Sequence, residues 1–210
     1  QRRTHGTYPF STGQRQRRLR RINGIICSKS IQKPFDIRRT ILRRQHQHQK
    51  VQIGVFTFYA ILPQTVCQLA HDFPNIIGLK DASGDLDYAG YVAANAPEGF
   101  HLYSGDDNLT LPIVAVGGEG VISVAAHVIG KEMNEMIQAH KDGDVKKAAA
   151  LHQKYLPFMK GCFCTVSPVP VKTMLNMLAF PAGPFRLPLV DATPEIKAKC
   201  EQYLKDIGRL

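Results

Sequence analysis

Lys80 ends the apolar run Ile76-Ile77-Gly78-Leu79. A lysine leaving a strand ordinarily lays its stem along apolar surface and carries its ammonium out to water. The alternative use needs an amine that is partly deprotonated near neutral pH. Burial supplies this, because desolvation disfavours the charged form and frees a lone pair to attack a carbonyl and form a Schiff base. Place in the fold separates the two uses, since residues at the carboxyl ends of the strands line the active site of a (β/α)8 barrel. Asp106 and Asp107 look like a carboxylate pair for a metal or for acid–base work. Neighbours on a strand-to-helix loop point in different directions, so turn and helix-cap service is the simpler expectation. Gly117-Gly118-Glu119-Gly120 is glycine-rich like a phosphate loop, but it precedes an expected strand instead of following one and reads as a turn. Pro168-Val169-Pro170 reads as a rigid lead-in to a helix, and Cys162 and Cys164 as packing residues.

These groups need elements to hold them. Residues 64–72 have apolar positions at helical spacing, and 76–80 form a run short and apolar enough for a buried parallel strand. Asp85 can cap a helix over 86–95. Then come an expected strand at 100–104, a polar loop at 105–108, a helix at 109–116 and a strand at 121–124 with a further helix behind it. This alternation is that of consecutive βα units in a parallel sheet. Past about residue 143 the strands stop. Residues 144–160, 170–178 and 193–207 read as helices, the first capped by Asp144 and the last opened by Thr193-Pro194-Glu195. The expected division is therefore 1–60, a partial barrel over 61–143, and an all-helical domain over 144–210.

Charge marks the first segment as different. Over 210 residues, 27 Lys and Arg against 17 Asp and Glu give +10, yet residues 1–50 hold 14 basic residues against Asp36 alone, or +13, and the remainder carries −3. A basic tract is necessary for a nucleic-acid-binding arm but not sufficient, and with no aromatic interleaving or folded motif no nucleic-acid partner is expected. No apolar run approaches the roughly 18 residues of a membrane span, so the chain is expected to be soluble, with no membrane association or secretory leader. Five cysteines without a C-x-x-C pair argue against a disulfide framework and a structural zinc, and for a reducing, cytoplasmic compartment; no metal site is expected.

The segments Gly78-Leu79-Lys80-Asp81-Ala82-Ser83-Gly84-Asp85, Tyr103-Ser104-Gly105-Asp106-Asp107, Gly120-Val121-Ile122-Ser123-Val124, Ser167-Pro168-Val169-Pro170-Val171-Lys172 and Arg186-Leu187-Pro188-Leu189 occur in that order. Together, from about Ile61 to the end, they make the chain resemble the dihydrodipicolinate synthase family of lysine biosynthesis. The resemblance implies the C-terminal half of a (β/α)8 TIM barrel of the class I aldolase type, followed by a small all-helical domain. It implies that Lys80 is the catalytic nucleophile that condenses with the ketone of pyruvate, so that a covalent pyruvate imine takes the place of a cofactor. Ile122 is implied as a backbone contact to the pyruvate-derived carboxylate region, and Gly105 as a backbone position lining the same pocket. The enamine would add to aspartate semialdehyde, and the family is commonly a homotetramer. N-acetylneuraminate lyase and keto-deoxy-sugar aldolases share the lysine chemistry but are disfavoured by the joint presence of SGDD, GVISV and RLPL.

The chain also departs from the family pattern. The family's relay tyrosine and carboxylate-binding arginine belong to a Tyr-Asn-x-Pro-x-Arg stretch on the strand before that of Lys80. The equivalent stretch here, about residues 51–60, reads VQIGVFTFYA, with Tyr59 as its only tyrosine. The early Gly-Thr-Thr-Gly loop and a second relay tyrosine are missing as well. Schiff-base formation requires a proton to expel water from the carbinolamine, so impaired activity is expected. A whole barrel takes about 250 residues, whereas residues 51–143 number 93, enough for three strands and one more, and the barrel is expected to stay open. Residues 1–60 could be an Arg-rich transit segment or a nucleic-acid arm. An out-of-frame or otherwise altered version of the family's N-terminal half is preferred, because family-like sequence starts abruptly at Ile61. Disorder is the other expectation for residues 1–60, and the low apolar periodicity of the basic head, residues 1–50, predicts no layer of a packed sheet there.

Overall fold

β3 (Ile76–Ala82) occupies the middle of a five-stranded parallel sheet. On one side lie β2 (Val51–Phe56) and then β1 (Ile25–Cys27); on the other lie β4 (His101–Ser104) and then β5 (Gly120–Val121). The structure, a computed structural model, describes residues 61–210 in full, together with the backbone of β1 and β2. Each strand pairs with its neighbour in sequence, so the sheet grows in one direction, as a barrel wall does and a doubly wound sheet does not. Helices cross over between the strands: α1 (Pro63–Asp72) before β3, α2 (Leu86–Asn95) before β4 and α3 (Thr110–Ala115) before β5.

The three helices cover one face. Leu79 and Leu102 are register partners on that face, and they pack with Val66 and Leu69 of α1, Val92 of α2 and Ile113 of α3. Local sequence explains the helix ends. Pro63 sits in the first turn of α1, where its missing N–H costs nothing. The Asp85 carboxylate accepts from the N–H groups of Asp87 and Tyr88 and so starts α2, which stops before Pro97 because the residue preceding a proline avoids helical backbone.

The chain ends in α4 (Ala126–Lys141), α5 (Val145–Gly161), α6 (Val169–Met177) and α7 (Pro194–Asp206). Asp144 caps α5 by accepting from Lys147 N at 3.0 Å, and Thr193 caps α7 by accepting from Ile196 N at 3.3 Å. A second core joins Ile129, Met133 and Met136 of α4 to Tyr155, Phe158 and Met159 of α5, Met174 of α6, and Cys200 and Leu204 of α7. Leu111, Val121 and Val124 pack against it, which ties these helices to the β5 end of the sheet.

The expected helices are present with ends shifted by a residue or two, and Pro168 does lead into α6. Two expectations need correction. The strand expected over 121–124 is only Gly120–Val121, because the chain beyond it is drawn into side-chain hydrogen bonds described below. The basic head, residues 1–50, was expected to add no layer to a sheet, yet β1 is a strand of it. Composition averaged over fifty residues hides a run as short as Ile25-Ile26-Cys27, and a parallel strand needs little more than that. Between residues 51 and 143 the strands are β2 to β5, the three and one more expected from that length, with β2 in the place expected for the strand before that of Lys80. The remaining expectations for residues 1–60, disorder and Tyr59 included, lie outside the described residues. Among the described residues no helix is long and apolar enough to cross a membrane.

Phe158 is 1% exposed at the centre of the second core. Phe158→Ala is expected to cost about 3–5 kcal/mol, read in urea unfolding as a lower midpoint with an unchanged slope.

Candidate functional site

Successive side chains of a strand alternate between its faces. Leu79 is fully buried under the helices, so Lys80 projects from the opposite face, near the carboxyl end of β3 and half-buried. Its register partners are Gly54 in β2 and Tyr103 in β4.

Two backbone hydrogen bonds tie the carboxyl ends of three strands together. Gly105 N donates to Asp81 O at 2.5 Å, and Ile122 N donates to Ser104 O at 2.9 Å. Lys80, Gly105 and Ile122, the residues singled out from the sequence, therefore lie at the carboxyl ends of β3, β4 and β5 respectively. A side chain at Gly105 would not fit, because its β-carbon would stand 2.7 Å from Ala82 Cβ and 3.0 Å from Asp81 O. Both amide N–H groups are spent inside the sheet, so Gly105 and Ile122 have no N–H to offer a bound carboxylate. What they can contribute is shape and carbonyl oxygens.

The turn after β4 is held by Ser104, whose hydroxyl donates to Asp106 O at 2.7 Å and accepts from Asp106 N at 3.2 Å. The turn expected of Asp106 and Asp107 is present, but neither side chain caps a helix. Asp107 is 1% exposed, and its Oδ2 accepts from Val124 N at 3.2 Å and Ala125 N at 2.9 Å, immediately ahead of α4. It thus holds the approach to a helix from another unit of the fold and pulls the chain off the β5 ladder after Ile122. Asp106 opens the 3-10 turn Asp107–Leu109 and makes no side-chain cap hydrogen bond. The sequence reading missed both Ser104 as the clamp of this turn and Asp107 as a bridge; the only sign of either was the SGDD segment itself.

Acidic groups crowd this end of the sheet. Asp81 is 1% exposed, with Oδ1 accepting from Ser83 N at 2.8 Å and Oδ2 buried without a partner. Burial raises its carboxyl above the ordinary range, the Ser83 hydrogen bonds oppose this, and the charge of Asp85 adds to it. Asp106 is raised too, first by burial and then by Asp81 and Asp107, with Lys80 pulling the other way. Among the described residues no three His, Cys, Asp or Glu side chains are placed to hold a metal ion. On the Lys80 face, nearer the amino ends of the strands, Glu119 takes Tyr103 OH at 3.3 Å and His101 Nδ1 at 2.6 Å. Burial and Glu119 together raise the Tyr103 phenol. Cys162 is fully buried with its thiol pushed up by burial, as a packing residue should be.

A parallel sheet growing strand by strand, clad in helices on one face and carrying a lysine at a strand's carboxyl end on the other, is part of a (β/α)8 barrel. The profile of the Dihydrodipicolinate synthetase family matches residues 52–207, and the chain belongs to that family. The match begins ahead of Ile61, inside β2. The chain is 51% identical over 149 residues to a 4-hydroxy-tetrahydrodipicolinate synthase of Listeria welshimeri, covering 71% of this chain and 50% of that protein. To the protein of that name from Moorella thermoacetica it is 53% identical over 146 residues, covering 70% and 50%. The dihydrodipicolinate synthase of Thermotoga maritima superposes with a TM-score of 0.82 at 28% identity, covering 93% of this chain and 70% of that one. A DHDPS from Cyanidioschyzon merolae, solved with lysine bound, gives 0.74 at 36%, covering 77% and 55%. The chain spans about half the length of the curated relatives it matches.

Two outcomes are expected from the buried carboxylates. Asp107→Ala leaves two amides without their acceptor and should cost about 3 kcal/mol, with faster hydrogen exchange at Val124 and Ala125. Asp81, raised in the folded chain, contributes stability that is full below the unfolded carboxyl value and lost as pH rises through its folded one. Asp81→Asn should therefore flatten the fall in stability that the parent shows above pH ~4, measured as urea midpoints across pH.

Proposed function

We propose that this chain carries the Schiff-base half of a 4-hydroxy-tetrahydrodipicolinate synthase-like lyase. Support comes from one observation above all: Lys80 stands at a strand's carboxyl end on the face away from the helices, with Gly105 and Ile122 at the ends of the next two strands. In this reading Lys80 Nζ attacks the ketone of pyruvate, and loss of water from the carbinolamine gives a protonated imine. That imine is the electron sink which makes the pyruvate methyl acidic, and no further cofactor is needed. The enamine then adds to aspartate semialdehyde. The names of the relatives favour this over an N-acetylneuraminate lyase type of reaction. Turnover below that of a full-length relative, homotetrameric assembly and a cytoplasmic location belong to the same proposal, as do the roles of Gly105 and Ile122 and the division of the chain at residue 143.

Borohydride trapping tests it. The full chain incubated with pyruvate should gain a reduced adduct that peptide mass spectrometry places on Lys80, and Lys80→Arg should gain none. An unmodified Lys80 would remove the aldolase mechanism for this chain. With aspartate semialdehyde added, pyruvate should be consumed, and sialic acid should not be cleaved.

A further inference from the structure

Among the described residues, three cysteines gather where α5, α6 and α7 meet. Cys162 and Cys200 are fully buried, whereas Cys164, on the bend between α5 and α6, is partly exposed. Two contacts set α7 against this bend. A β-carbon at Gly161 would stand 2.7 Å from the Tyr203 ring, so the end of α5 lies flat on α7. Cys164 N donates to the carbonyl of that same Gly161 at 3.1 Å. Cys200 precedes Tyr203 by three residues, which places the two on one side of α7. At the other end of the bend, Cys200 Sγ comes within 3.8 Å of Pro170 O, in the first turn of α6. The stretch from Gly161 to Pro170 is therefore pinned to α7 at both ends. Cys164 lies between the pins, and its thiol shares a hydrogen bond with that of Cys200.

We infer that Cys164 and Cys200 are a modification site, a dithiol that closes to a disulfide when a peroxide reaches Cys164. The Cys164 thiolate attacks a peroxide oxygen, the O–O bond breaks, hydroxide leaves, and a sulfenic acid remains. The Cys200 sulfur then attacks the Cys164 sulfur. The S–O bond breaks, the S–S bond forms, and the Cys200 proton departs with the hydroxyl as water. Two thiols and one hydrogen peroxide give one disulfide and two waters, the sulfur pair losing the two electrons that the peroxide gains. Exposure assigns the order of events. The oxidant meets Cys164 from solvent, while the buried Cys200 needs only the neighbour it already touches. Burial, followed by the charge and the hydrogen bond of Cys164, pushes the Cys200 thiol up to about 11, so it waits in the thiol form and is spared direct oxidation. Cys162 faces Cys200 and Cys164 as well, but burial and then Asp107 push its thiol up further still. Cys67 belongs to the other core, beneath α1. The bridge would tie the bend between α5 and α6 covalently to α7, and it is independent of the Lys80 chemistry.

The test treats the full reduced chain with a small excess of hydrogen peroxide, blocks remaining thiols with iodoacetamide and maps the unreduced peptides by mass spectrometry. The parent should lose alkylation at Cys164 and Cys200 together, gain the peptide pair joined through them, and recover both sites after dithiothreitol. Cys164→Ser should leave Cys200 alkylatable after denaturation. Cys200→Ala should stop at the sulfenic acid on Cys164, captured as its dimedone adduct, with circular dichroism checking the fold. Should Cys200→Ala fail to fold, the parent decides by itself: the Cys164–Cys200 pair should dominate in buffer and give way to mixed pairings when the same oxidation is run in concentrated urea. A folded parent in which peroxide leaves Cys164 and Cys200 unlinked overturns the proposal. So does a bridge in which Cys27, Cys67 or Cys162 replaces either partner, or a Cys164–Cys200 link that forms only in urea.

Discussion

The buried carboxylate of Asp107 is the fixed point of this fold. Its two hydrogen bonds to Val124 and Ala125 join the turn after β4 to the start of α4, and α4 is the helix on which the second core is assembled. A carboxyl oxygen with almost no exposure tolerates little displacement of its partners, since any movement leaves it desolvated and unsatisfied. The backbone bonds from Gly105 to Asp81 and from Ile122 to Ser104 continue the same line across the sheet. The strand ends are thereby held in register by main-chain and buried side-chain contacts, with Lys80 and Asp106 half-buried beside them.

Electrostatics at these strand ends follows from that arrangement. One lysine shares a small region with three aspartates whose polar partners differ. Asp107 takes two amides on Oδ2 and Asp81 one on Oδ1, each keeps a second buried oxygen without a partner, and Asp106 makes no side-chain cap. Burial raises the carboxyls of Asp81 and Asp106, and neighbouring aspartates add to it. Three residues of one type, within 26 positions of each other in sequence, thus become an anchor, a buried strand residue and the opening residue of a helical turn.

Much of this was legible in the sequence where the signal was local. Asp85, Asp144 and Thr193 announce their helices because capping depends on residues two or three apart. Lys80 could be placed at a strand's end because a short apolar run stops there. The long-range roles could not be read in the same way. Nothing near Asp107 in sequence shows that its carboxylate is used 17 residues later, and the retreat of the β5 strand to Gly120–Val121 follows from that bond. β1 was hidden for a different reason, since three apolar residues vanish in a charge average over fifty.

The second core is unusually rich in sulfur: Met133, Met136, Met159 and Met174 lie with Cys162 and Cys200 among helices α4 to α7. Thioethers are flexible and polarisable, and they fill irregular gaps between helices that cross at different angles. They are also the side chains that an oxidant converts from apolar to polar. All four methionines are no more than 2% exposed, so the folded chain shields them. Each opening of the helical packing removes that shield, and a sulfoxide formed then cannot be repacked without cost. Ageing of this protein under oxidative conditions would accordingly begin in its helices, with the apolar core beneath α1, α2 and α3 the last to lose its packing.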